Sequence, residues 1–335
     1  MKNIDFKTHQ TPTQYVVEVS LKEREYASDE KISFSVKDAE KFLQERNIVY
    51  DQATRGHGLI LRNYGISDRI GTYAFRKARL EKKERISYSE FKMWNECSHK
   101  HKLIYIDKVD HFLGNQYLAF GTAMHKACEE GVKDPSINLE NVFIKAFKKE
   151  VAKLDNIESS IVEEFMEQGI QLCPEILPAL SEQFPEFELV SVEEELYEDI
   201  KEFESNGLKF KGFIDLVIKT PDGKYHVIDW KTCSWGWDSK RKSDKMVAYQ
   251  LSFYKNYFAK KHNISLKNIE TYFILLKRTA KKNKVEVLKI SNADRRIKNS
   301  LALLERAIIN INNNKTVKNK LSCSRCHLYK VHCNG

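Results

Sequence analysis

The sequence predicts an α/β fold, with a central mixed sheet flanked by helices and a Cys-rich tail. Three observations lead to it. Helical periodicity dominates from Ser87 to about Leu172. From Leu189 onward strand-like and helix-like runs follow in the order β-β-β-α-β-β-α. Three of the seven cysteines, Cys323, Cys326 and Cys333, then crowd the C-terminal tip.

The elements follow in order. Residues 1 to about 85 read as a mixed, polar region with one helix over Val36–Arg46, closing on the basic stretch Arg76–Arg85. Ser87-Tyr-Ser-Glu90 is a capping box that opens a helix carrying Phe91 and Trp94. Helices are expected over Leu118–Val132, over Leu139–Leu154, where Val142, Phe143, Ala146 and Phe147 keep amphipathic spacing, and over Ile161–Leu172. Leu189–Tyr197 reads as a strand. Lys209–Ile218 and Lys224–Trp230 read as a hairpin about the turn Pro221-Asp-Gly223. A helix over Met246–Lys261, strands over Glu270–Lys277 and Val285–Ile290, and a helix over Ala293–Ile311 complete the series.

The 335 residues are 41% apolar and 31% charged, the profile of a soluble globular chain of one or two domains. No apolar run approaches the roughly 20 residues that span a bilayer, and no secretory h-region is visible, so an intracellular, cytoplasmic protein is expected. Fifty-six Lys and Arg against 47 Asp and Glu give a net charge of +9, which favours a polyanionic partner, nucleic acid first. Seven cysteines without a signal peptide argue against a disulfide framework.

Asp215 lies inside the apolar run Gly212-Phe-Ile-Asp-Leu-Val-Ile218. Asp229 and Lys231 flank Trp230 at the end of the next strand. Alternation along a strand puts Asp229 and Lys231 on one face. Carboxylates buried among apolar residues are costly unless something binds them. If the two strands pair, Asp215 and Asp229 converge on one hard cation with the Lys231 ammonium beside it, which suits phosphodiester hydrolysis. The alternative for the triplet alone is an Asp–Lys ion pair at a strand end. Between Lys231 and Gln250, a loop carries Trp235, Trp237, Lys240, Arg241, Lys242 and Lys245. Indoles and cations of this kind suit single-stranded nucleic acid, although a loop with its Trp packed inward fits equally well. A second basic run, Lys277–Lys284, is a candidate phosphate-tracking turn. Cys323, Cys326 and Cys333 suit a metal site that needs a further ligand: a distant thiol such as Cys97 would make a four-iron cluster or zinc site, and His327 or His332 could instead complete a local zinc site.

Asp215 followed by Asp229-Trp-Lys231 resembles the PD-(D/E)XK nuclease motif, without the Pro before the first Asp. Three further segments are similar to its RecB-type branch, which includes AddB, CRISPR-associated RecB-like exonucleases and exonuclease V. They are Phe120-Gly-Thr-Ala-Met-His125, Gln250-Leu-Ser-Phe-Tyr254, and Cys97 with Cys323, Cys326 and Cys333. The resemblance covers residues 87–335. It implies a restriction-endonuclease-like core closed by an iron–sulfur (4Fe-4S) staple. It also implies a Mg²⁺ or Mn²⁺ site formed by His125, Asp215, Asp229 and the Trp230 carbonyl. Gln250 and Tyr254 would serve the substrate backbone or the attacking water. Glu129, one turn after His125, is a candidate to orient the imidazole. The implied activity is a metal-dependent deoxyribonuclease, an exonuclease on single-stranded or end-opened DNA in recombination or repair. The rival is a non-catalytic DNA-binding or scaffold protein on the same fold. No Walker A segment is present, so helicase activity would need a partner chain, a helicase or recombination protein. Residues 1–86 are a separate region, a candidate for DNA or partner binding.

Overall fold

The computed structural model describes residues 4–10, 14–21, 36–46, 50–58, 69–77, 83–109, 114–154, 157–200 and 207–334. The chain divides into two compact units, Met1–Lys83 and Glu84–Gly335.

The first unit holds an antiparallel sheet that the sequence reading missed. Its strands are β1 (Ile4–Gln10), β2 (Gln14–Leu21), β3 (Tyr50–Gly58) and β4 (Arg69–Lys77), in the order β1-β2-β4-β3. β1 and β2 do alternate, with Ile4 and Phe6 in one and Val17, Val19 and Leu21 in the other, but β3 is polar and carries two glycines, so its period-2 hydrophobicity is faint. The expected helix is α1 (Val36–Gln44), with Ala39 and Leu43 buried one turn apart. Of the basic stretch 76–85, residues 78–82 lie outside the described residues.

The second unit is built on a six-stranded mixed sheet. Its strands are β5 (Arg85–Ser87), β6 (Glu188–Asp199), β7 (Lys209–Lys219), β8 (Tyr225–Cys233), β9 (Ile269–Lys277) and β10 (Val285–Lys289). The path is β10-β9-β8-β7-β5, with β6 on β7 as well. β8 with β9 and β5 with β7 are parallel, and the other pairs are antiparallel. The β7–β8 turn is the one expected at Pro221-Asp-Gly223, where Gly223 takes φ 80, open to glycine at no steric cost.

Helices cover both faces. On one side lie α4 (Gln116–Lys133), α5 (Leu139–Val151) and α6 (Ser159–Gln183). They pack Phe120, Phe143, Phe147 and Phe165 toward Leu216, Ile228, Trp230 and Ile274 of the sheet. On the other side α2 (Tyr88–Glu96), α8 (Lys245–His262) and α9 (Asp294–Asn312) pack Phe91, Phe253, Tyr257 and Leu304 against Phe210, Val227 and Phe273. A strand covered on both faces must be apolar at nearly every position, as β9, Ile269-Glu-Thr-Tyr-Phe-Ile-Leu-Leu-Lys277, is.

The capping box opens α2 as expected, with the Ser87 hydroxyl accepting from the Glu90 N–H at 3.2 Å. α6 runs beyond the expected Leu172 to Gln183, through Pro174 and Pro178. Each internal proline costs about 3 kcal/mol in an isolated helix. Beyond Leu172, however, Cys173, Ile176 and Leu180 stay buried, and burying such side chains yields roughly 1.5–3 kcal/mol each. Packing therefore overrides the break. α3 (Ser98–His101) follows α2 and passes into a π-helical turn, Lys102–Ile106. α7 (Ser239–Lys242) is one turn within the basic loop. Among the described residues no helix is long and apolar enough to cross a membrane.

Candidate active site

The site forms where the β7–β8 ladder stops. β6 pairs with β7 along its whole length, so β5 and β8 must share β7's other edge. β5 takes Lys209–Lys211, and β8 takes Leu216–Lys219. Residues 212–215 of that edge have neither neighbour. Asp215 is the first residue beyond the ladder, and its carboxylate supplies the missing rung by accepting the Trp230 N–H at 2.7 Å.

β7 also breaks its alternation there. Ile214 belongs to the core under α8, whereas Leu216 belongs to the opposite core. Regular pleating would put both on one face. The β6–β7 register is constant from Ser191↔Val217 to Asp199↔Lys209 but skips the Glu193–Asp215 rung. Glu193 sits at φ 52, a left-handed conformation uncommon for a residue with a Cβ. The distortion brings three groups together. His125 of α4 places Nδ1 3.5 Å from Asp215 Oδ2, and ligand atoms of His125, Glu193 and Asp215 all lie within 4.8 Å of one another. α4 comes this close because Gly121 faces Thr232 at the end of β8. A Cβ at Gly121 would lie 3.3 Å from the Thr232 hydroxyl.

Asp229 stands beside this trio with its side chain only 2% exposed. Lys231 Nζ lies 2.5 Å from one of its oxygens, and the Gln250 amide donates to the other at 2.7 Å. Gln250 also donates to the Tyr254 hydroxyl at 3.2 Å. Asp229, Lys231, Gln250 and Tyr254 are thus one hydrogen-bonded chain across β8 and α8. Burial, reinforced by the Asp215 charge and opposed by Lys231, pushes the Asp229 carboxyl up to about 6. Burial and then the Asp215 charge raise Glu193 as well. Burial alone would lower the His125 pKa, but the charge and contact of Asp215 outweigh it and raise it.

Other expected residues are placed differently. Glu129 does not reach the His125 ring; Lys126 and Lys133 hold it at 2.9 and 2.5 Å. Trp237 is packed inward, edge-on to Phe273, with the Arg241 guanidinium over it at 4.7 Å. It offers no open stacking face, because its indole fills the core end of β9. Trp235 is 74% exposed. Lys240 and Lys245 are exposed, while Lys242 is paired with Glu286 at 2.6 Å. Glu193 was not singled out from the sequence. Its only signal is the acidic run Glu193-Glu-Glu195 inside a strand.

The tail returns to α2 and α3. The Val317 N–H donates to the Ser98 hydroxyl at 2.7 Å, and the Asn319 N–H donates to Cys97 Sγ at 3.4 Å. Cys323 lies in the turn Lys320–Arg325, and Cys326 and Cys333 follow it, all partly exposed. Among the described residues these thiols are not gathered within 4.8 Å as the His125 trio is.

Two carboxylates and an imidazole, with a third carboxylate adjoining, match the hard-oxygen and nitrogen donors that Mg²⁺ or Mn²⁺ accept. The ligand atoms of His125, Glu193 and Asp215 lie within 4.8 Å of one another, close enough to share one ion. Comparison with known proteins agrees with the fold. A solved structure from Eubacterium rectale, provisionally named an exonuclease, is 13% identical over 75% of this chain and 90% of that one, with a TM-score of 0.51. A second, SSO0001, is 16% identical over 77% of this chain and 88% of that one; its TM-score of 0.34 carries no weight. No curated protein matches the chain. The family model of the PD-(D/E)XK nuclease superfamily matches residues 85–334, three quarters of the sequence, and the chain belongs to that superfamily.

Proposed function

We propose that the chain is a Mg²⁺- or Mn²⁺-dependent deoxyribonuclease of the RecB type, an exonuclease on single-stranded or end-opened DNA. The observation that carries this reading is the convergence of His125, Glu193 and Asp215 beside the Asp229–Lys231 pair. His125, Asp215, Asp229, the Trp230 carbonyl and Glu193 would hold the cation. A bound cation would supply Lewis-acid polarisation of the scissile phosphate and a more acidic water. Lys231, released from Asp229, is placed to orient that water and offset charge on the phosphate. Gln250 holds the second Asp229 oxygen and so fixes the carboxylate, and Tyr254 fixes Gln250. The name of the Eubacterium rectale neighbour adds support for an exonuclease. Action on DNA in recombination or repair, beside a helicase, follows from the RecB-type resemblance.

Cys97, Cys323, Cys326 and Cys333 are proposed to hold a four-iron cluster, with structural zinc as the other candidate. The fold of the tail onto Cys97 supports a staple at this place. Residues 1–86 are proposed to bind DNA or a partner. One assay tests the central reading. End-labelled single strands with free and blocked ends are incubated with Mg²⁺, Mn²⁺ or chelator. Metal-dependent loss of free-ended DNA alone supports it; cleavage insensitive to chelator, or none with either metal, sinks it.

A further inference from the structure

A cleft of about 860 Å³ opens from the site along α4 and α5. The function proposed above assigns nothing to it. His125, Lys231 and Glu193 lie at one end. Two helical turns before His125, Tyr117 and Leu118 line it, 56% and 57% exposed. Eight residues of helix place them about 12 Å from His125 along the axis.

Tyr117 is exposed yet held. Its ring meets Phe165 edge-on at 5.4 Å, and the Arg278 guanidinium lies 5.4 Å from its centre. Arg278 is itself buried and bonded to Gln168 and Ser234. A fixed aromatic face open on one side binds a base at little entropic cost.

The opposite wall is α5. The sequence gives this helix a single apolar face, and Leu139, Phe143 and Phe147 on it enter the core. Lys145 and Lys149, one turn apart, line the cleft and are exposed. The acids around them are engaged elsewhere: Glu129 and Glu130 with Lys126, and Glu150 with Lys153. Among the described residues neither Lys145 nor Lys149 has a carboxylate within ion-pair distance, so the wall carries uncompensated positive charge. A cleft this size falls on the ligand-pocket scale of roughly 300–1,000 Å³.

We infer that this cleft is the track for one strand of the nucleic acid substrate. Lys145 and Lys149 meet successive phosphates, and Tyr117 stacks on a base two turns from the metal trio. The inference rests on the nuclease reading and extends it to the substrate path.

Binding of a labelled single-stranded oligodeoxynucleotide to the full chain, in chelator and across a salt series, tests it. The double variant Lys145→Ala/Lys149→Ala should raise Kd about tenfold or more and reduce the log–log salt slope by roughly 1.4, at about 0.7 per phosphate contact. Tyr117→Ala should raise Kd roughly 5- to 100-fold with the slope unchanged. Lys148→Ala, the same charge loss on a residue outside the cleft, should do neither. Arginine at 145 and 149 should restore binding. The track is overturned if the double variant binds like wild type, if Lys148→Ala matches it, or if a blunt duplex binds as tightly with the same losses. Failure of the wild type to cut DNA with either metal would overturn the nuclease reading while leaving the binding pattern intact.

Discussion

Glu193 is held at φ 52 on a strand, where a non-glycine residue costs on the order of 1–3 kcal/mol. The strain persists because the rungs on either side, Val192↔Leu216 and Glu194↔Ile214, fix the backbone. Glu193→Gln keeps that shape and removes one charge from the trio. Calorimetric titration should show Mn²⁺ affinity lowered about 10- to 100-fold at unchanged thermal stability; equal affinity would remove Glu193 from the site. Asp229→Ala or Lys231→Ala should cut the cleavage rate about a thousandfold or more, since several kcal/mol of transition-state stabilisation are lost. Circular dichroism should stay that of wild type, and a pure Asp229→Ala protein that cuts normally would refute the assignment. That Asp215, Asp229, Lys231, Gln250 and Tyr254 lie near one another was legible, Asp215 as a carboxylate inside an apolar strand, Asp229 and Lys231 from strand alternation, and Gln250 and Tyr254 from their helical spacing and the family resemblance. Glu193 was not, because its place beside His125 and Asp215 comes from a backbone irregularity, and an acidic run in a strand reads as a solvent face.

Helix α6 meets α5 at Gly169, where a Cβ would come within 2.1 Å of the Phe143 ring. Ala in a helix gains about 1 kcal/mol over Gly. Overpacking a closed core costs roughly 1–3 kcal/mol, and Phe143 is fully buried with nowhere to move. Gly169→Ala should therefore lower Tm by a few degrees in a thermal melt; a raised Tm would show that the helix pair is loose. On β9, burial alone would raise the Glu270 carboxyl, but bonds to Lys289, Tyr272 and Lys224 and the Lys289 charge hold it down to about 2. A depressed carboxyl adds stability above its ordinary 4.5 and loses it as pH falls toward 2. Glu270→Gln should therefore flatten the fall of Tm between about pH 4.5 and 2, and parallel curves would dismiss the pairing. The longer helices and strands of the second unit, α6 aside, lay within a few residues of expectation, since one-faced helices write a 3.6-residue period and strands covered on both faces write continuous apolar runs into sequence. The short β5, α3 and α7 were not expected. α6 was cut short because proline is a local signal and core packing is not. In the first unit the polar β3 carries almost no pattern, whereas the short alternations of β1 and β2 were present in the sequence and overlooked.

Val317 and Asn319 bond to Ser98 and Cys97, which stand 219 and 222 residues earlier. If the four cysteines bind one cluster, closing so long a loop removes roughly 4–5 kcal/mol of chain entropy on the disulfide analogy. Protein purified without oxygen should be brown, and Cys97→Ala should lose colour, stability and solubility together. Zinc without iron on metal analysis would make the staple a zinc site, and neither metal in a stable, active protein would end the idea. The same connection sets an order of events during synthesis. At roughly 5–20 residues per second, the ribosome takes on the order of 10–45 s to reach Asn319 after making Cys97. Through that interval the end of α2 stands without the tail that covers it, and its thiol stays open to oxidants, so the second unit finishes folding only after almost its whole length has been made.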